Sequence, residues 1–178
     1  VVAGQMGMTL TALNGIQALS LSWMTTKIPL YSSLIAKKDY SLLDTIFNRT
    51  LKQSVFINGI LLVLMFIFVW IIRHYHIVIG GMDLGNRFLS YLPMELMMIS
   101  LFVNQFVNSW ATYLRCHKQE PFLINSICAG ISCCLSTILF GRWFGVLGIT
   151  GGYCFITIAL MPWGYWIYKT KKYEWHEK

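Results

Sequence analysis

Charged residues are nearly excluded from five long stretches of the chain, and this pattern comes before any motif. Residues 1–26 contain none, and the runs 54–72, 88–114, 122–140 and 145–168 contain a single acid, Glu95. About 20 apolar residues at 1.5 Å each match a hydrocarbon core about 30 Å thick. In such a medium the backbone must close its hydrogen bonds within each segment, so every run is predicted to be a helix. The one long polar connection is 27–53. There Pro29 is expected to end the first helix, because it has no N–H to give. Ser41 and Asp44 have the spacing of a capping box. Leu42, Leu43, Ile46, Phe47 and Leu51 then recur on one face of an amphipathic helix over about 41–53, which would lie in a membrane interface and run into the second span. The expected fold is an all-α membrane protein with about five transmembrane helices and one interfacial amphipathic helix.

Composition agrees: 56% of residues are hydrophobic and 12% charged, the profile of a polytopic membrane protein. The net charge of +7 does not signal nucleic acid once it is sorted by connection. Eleven of the 14 cations fall on one side, in 27–52, at Arg115 and Lys118, and at Lys169, Lys171, Lys172 and Lys178; Arg73, Arg87 and Arg142 fall on the other. Cationic loops stay in the cytoplasm, which places the C-terminus inside and Val1 near the outer face. A start within a helix, without a leader pattern, fits the C-terminal piece of a longer protein. The five cysteines lie in spans or near the cytoplasmic face, where free, buried thiols are expected rather than a disulfide framework.

Polar side chains inside the spans are the candidate chemistry. At about 100° per residue, Gly4, Gly7, Thr11, Asn14, Gly15, Ala18, Ser22 and Thr25 share one arc of the first helix. Such a stripe either packs closely against neighbouring helices or lines a wet cavity. The third span carries a second stripe, Ser100, Asn104, Gln105, Asn108 and Thr112. Pro93 predicts a kink near its start. Glu95 is the one ionisable group deep in a span and thus a candidate for ion coupling, although an unbroken helix turns it away from Asn104. Small residues spaced by four, Ser126, Gly130 and Cys134, then Gly148 and Gly152, predict close helix packing. A tight outer turn over 141–152 is expected before the last span, with Trp143, Trp163, Trp166 and Tyr168 at the interfaces. His74 and His76 in the loop 73–87 lack a third ligand, so no metal site is expected.

Three segments carry a family resemblance: GQMGMTLTALNGIQALSLSWMTTKIP, the basic stretch ending in KKDYSLLD, and FGVLGITGGYCFITIAL. In that order they resemble the C-terminal helices of polysaccharide (O-antigen, lipid-linked oligosaccharide) flippases of the multidrug/oligosaccharidyl-lipid/polysaccharide exporter superfamily. The resemblance implies the last five helices of the second lobe of a two-lobed transporter in the bacterial inner membrane. It implies a multi-pass chain that flips undecaprenyl-pyrophosphate-linked oligosaccharide by alternating access for surface polysaccharide (lipopolysaccharide) biosynthesis. No cofactor and no enzymatic activity are implied. The partners would be lipid-linked oligosaccharide, membrane lipids and other surface-polysaccharide assembly proteins, with no nucleic acid. Thr11, Asn14, Asn104, Asn108 and Thr112 would line the substrate path, since amides and hydroxyls can replace the water lost by sugar hydroxyls. The family lines its cavity with cations, and none lies deep in a span here. Alternatives are a drug/cation antiporter or a peptidoglycan-lipid flippase of the same superfamily, a membrane-embedded glycan polymerase or acyltransferase, and a structural membrane subunit. The outer connections hold no recognisable catalytic spacing for the polymerase.

Overall fold

A computed structural model describes residues 2–76, 78–79 and 82–176, with side chains at 2–76 and 84–176. Val1 and Lys178, which the sequence reading used, lie outside the described residues. The chain is all-helical apart from a minimal antiparallel pair, β1 (Val78–Ile79) and β2 (Met82–Asp83). Its helices are α1 (Val2–Thr25), α2 (Ile28–Ala36), α3 (Tyr40–His74), α4 (Tyr91–Arg115) and α5 (Leu123–His176). Two of them, α3 and α5, are long and apolar enough to cross a membrane, each with an 18-residue stretch of mean hydropathy 2.9 and 1.9 respectively. Helices α1 and α4 are also 24 and 25 residues long. Their amides, hydroxyls and glycines dilute the apolar content.

Helices α1, α3 and α4 pack against one another, α5 lies mainly along α4, and α2 crosses one end against α3. At that end Met24, Tyr31, Leu43, Phe47, Tyr113 and Tyr168 form one core; Leu13, Val69, Leu89, Met94 and Met97 form a second toward the other end. Tyr168 is therefore a core residue, ringed by Phe47, Trp110 and Tyr113, and not the interface marker expected of it. Trp143 and Trp166 are exposed.

Several boundaries differ from the sequence reading for local reasons. Pro29 sits in the first turn of a short extra helix, α2, where its missing N–H has no bond to lose. Asp39, not Ser41, caps α3: its carboxylate accepts from the Leu42 N–H at 3.2 Å and also from the Ser41 hydroxyl. The amphipathic segment, by contrast, runs into the following apolar run as expected, in one continuous 35-residue helix. Pro93 falls in the first turn of α4, after the N-cap Ser90, so it ends no hydrogen-bond ladder and the expected kink has no cause. The outer turn shrinks to Gly145, whose φ of 58° and ψ of −136° reverse the chain in the middle of α5. Those angles match the first central position of a type II′ turn, a position dominated by glycine.

The two halves of α5 pack as a hairpin, and only part of the expected small-residue stripe serves it. A Cβ on Gly148 would overlap the Phe140 carbonyl, and one on Gly152 would overlap the Ser136 hydroxyl. Ser126, Gly130 and Cys134 instead lie exposed, correcting the packing expected of them. Gly148→Ala is thus expected to destabilise the protein by about 1–3 kcal/mol, the range for overpacking. Gly130→Ala, with open space at that position, is expected to be neutral or to gain up to about 1 kcal/mol of helix propensity. Thermal unfolding of the two variants in detergent checks the contrast.

Candidate functional site

At the end away from α2, Arg73 organises the entry to α4. Its guanidinium donates to the carbonyls of Gly85, Phe88 and Leu89 (3.2, 3.0 and 2.6 Å) and covers the Tyr91 ring at 4.4 Å. Thr9 accepts the Leu89 N–H at 3.1 Å. A cation that reads as a loop charge in sequence thus satisfies the carbonyls ahead of a helix.

Fixing α4 in this way orients its polar residues, and they divide between two faces. Gln105 and Ser109, fully buried, face α1 and α3. A directed series of hydrogen bonds joins the three helices there. Ser54 donates to the Ser20 carbonyl at 2.6 Å, Gln105 Nε2 donates to Ser54 Oγ, and Gln17 Nε2 donates to Gln105 Oε1 at 2.9 Å. Asn104 and Asn108 face α5 instead. With Asn125, Tyr153 and Thr157 they line a cleft of about 250 Å³ between α4 and the α5 hairpin. Asn104 Nδ2 donates to the Tyr153 hydroxyl at 2.7 Å, which leaves that hydroxyl free to donate in turn. Asn125 is 5% exposed, and its Nδ2 has no hydrogen-bond partner. Among the described residues, no charged side chain lines this cleft. Tyr153 also borders an adjoining hollow of about 200 Å³, shared with Asn14 of α1.

The expected pathway residues are therefore only partly brought together. Asn104 and Asn108 share the cleft, and Asn14 reaches its neighbour through Tyr153. Thr11 is exposed on α1 and donates to the Gly7 carbonyl at 2.9 Å. Thr112 donates to the Asn108 carbonyl and borders a separate hollow of about 660 Å³ between α2 and the end of α4. Arg115 and Lys118 line that hollow as well, so cations do gather at one end of the bundle. Glu95 is exposed on another face of α4 and does not line the cleft. The α1 stripe from Gly4 to Thr25 is exposed throughout, while Thr9, Leu13, Ser20 and Met24 make the buried face. Sequence reading missed Asn125 and Tyr153. Asn125 carries a weak signal, as the first amide in an otherwise uncharged run, but nothing in a single helix's periodicity assigns Tyr153 to α4.

A second polar cluster ties the bundle together beside α2. Asp44, which a capping box would have used, accepts from the Tyr113 hydroxyl at 2.9 Å and pairs with Lys172 at 2.8 Å. His176 lies 3.0 Å from the same hydroxyl and stacks on Tyr40. His117 packs on the Trp175 ring, and its Nε2 is buried without a partner. Burial, reinforced by the nearby His176, pushes the His117 pKa down to about 4, against the pull of Asp44. Burial lowers His176 as well.

Comparison with protein-family models, with curated proteins and with solved structures finds no match.

The histidines set a pH dependence. An unfolded His117 takes up its proton near pH 6.5, the folded one only near pH 4, so the unfolded chain holds more protons in between. Stability is expected to fall as pH drops from about 6.5 toward 4. Melting temperatures across that range check this, and His117→Gln is expected to flatten the curve. The cleft generates a second prediction: Tyr153→Phe removes the acceptor of the Asn104 amide in an open cleft, at a cost of about 0.5–1.5 kcal/mol, the net worth of one hydrogen bond. Thermal unfolding beside that of the distant Tyr75→Phe, an exposed ring, measures the difference.

Proposed function

We propose that this chain forms the C-terminal helices of a membrane transporter that moves lipid-linked oligosaccharide across a bacterial cytoplasmic membrane, as the resemblance to polysaccharide flippases implies. In this reading α1, α3, α4 and the two halves of α5 are five crossings. The end bearing α2 and the C-terminus lies in the cytoplasm, where cationic loops remain. The observation that carries the reading is the cleft between α4 and α5. It offers three amides, a phenol and two hydroxyls, with no charge among the described residues, to a group entering from the side. A sugar ring leaving water must exchange many hydrogen bonds, each costly to leave unmade, and neutral donors and acceptors suit it better than fixed charges.

Size limits what the cleft can hold. At about 250 Å³ it lies below the roughly 300 Å³ at which pockets for drug-sized ligands begin. It fits one ring of a glycan, not an oligosaccharide. The hollow beside α2, with Arg115 and Lys118, supplies the cationic chemistry that a phosphate linkage needs. The exposed polar stripe of α1 belongs, in this reading, to a face turned toward the other lobe across the central cavity.

Replacing Asn104 and Asn108 together by Leu in the full-length protein is expected to reduce surface-glycan export at least tenfold, with unchanged amounts in the membrane. That factor corresponds to about 1.4 kcal/mol of lost interaction. Normal export by the double variant, read by glycan staining of intact cells, would remove the cleft from the pathway.

A further inference from the structure

The junction of α1, α3 and α4 contains polar atoms that the transport reading does not use. Asn58 is fully buried on α3, and neither its Oδ1 nor its Nδ2 has a hydrogen-bond partner. Gln17 Oε1 on α1 is likewise buried and unpartnered. The orientation of Gln17 follows from its neighbours. The Ser20 carbonyl can only accept, so Ser54 must donate to it and must accept from Gln105 Nε2. Gln105 then presents Oε1 to Gln17, which answers with Nε2 and leaves its own oxygen over. For Asn58 an amide flip changes nothing, because both ends lack partners.

The two orphaned groups lie on the same level. Contact between Ser54 and Ser20 sets the register of the antiparallel pair α3 and α1. From there Asn58 is one turn along α3, and Gln17 about one turn back along α1, toward the same end of the bundle. Ser54 and Asn58 share the buried stripe of α3, so both point into the junction.

We propose that this junction is a binding site for an internal water molecule bridging Asn58 and Gln17. The donor set selects the ligand. Two unpaired oxygens require a donor and one unpaired N–H₂ requires an acceptor. A single water gives two hydrogen bonds and accepts one, matching the roughly three bonds of a buried water. A monovalent cation would satisfy the oxygens but repel the amide hydrogens, and no carboxylate here would balance its charge. An apolar ligand would leave all three atoms unpaired.

X-ray hydroxyl-radical footprinting of the full-length protein in nanodiscs tests this, since a bound water becomes a radical source beside the side chains that hold it. Read residue by residue, the buried Leu13 and Leu62, each one turn from the water, are expected to label several-fold faster than the buried Leu43 and Phe47. Asn58→Val is expected to abolish the difference. Equal, slow labelling of all four residues in the wild-type protein would overturn the proposal, whether or not the variant folds. Cation occupancy would overturn it too: it would show as a melting temperature that rises with sodium over choline chloride and loses that rise in Asn58→Val.

Discussion

Ser20, Ser54, Gln105 and Gln17 form a line of hydrogen bonds whose direction is forced from one end, and the three-helix core is arranged around it. Ser20, Ser54 and Gln105 are fully buried, so a mispaired group would lose its water without replacement. A backbone carbonyl begins the series, and each step then has one permitted donor and acceptor. Sliding α1 along α3 by a single turn would break both of its links, Ser54 to the Ser20 carbonyl and Gln17 to Gln105, at once. The relay thus fixes register, which apolar packing between such uniform surfaces fixes only weakly. Interhelical bonds of this kind average about 0.6 kcal/mol each in a membrane, so the relay contributes more to specificity than to total stability.

Register, once fixed, decides which polar groups remain for other work. Gln105 and Ser109 are taken up by the core. Asn104 and Asn108, on the neighbouring arc of α4, are left to the cleft with Asn125 and Tyr153. The sequence shows both sets as one stripe, and the division between them follows from the positions of α3 and α5. The same logic accounts for α1, whose buried face is Thr9, Leu13, Ser20 and Met24 while its stripe of glycines and hydroxyls stays open.

The helices were legible because uncharged runs of that length have few other uses, and Asn104 and Asn108 were legible because amides are rare in such runs. What escaped depended on contacts between distant segments. Asp44 has capping-box spacing relative to Ser41, yet Asp39 caps and Asp44 is drawn to Tyr113 and Lys172. Tyr168 has the composition of an interface marker, and three aromatic rings from α3 and α4 bury it. Pro29 and Pro93 were read as breakers, but position within a first turn makes proline harmless, and that depends on where the helix begins. The stripe at Ser126, Gly130 and Cys134 has the right spacing, yet all three residues stay exposed. Spacing specifies that residues share a face; it does not specify which face meets a neighbour.

Gly145 carries a consequence for topology. As an uninterrupted rod, the 54 residues of α5 would extend about 80 Å, well over twice the depth of a bilayer's hydrocarbon core. Folding back at one residue turns that rod into two antiparallel halves, so the carboxyl end emerges beside α2 and Lys172 meets Asp44. Which end of the bundle receives the tail is thus delegated to a position with no side chain.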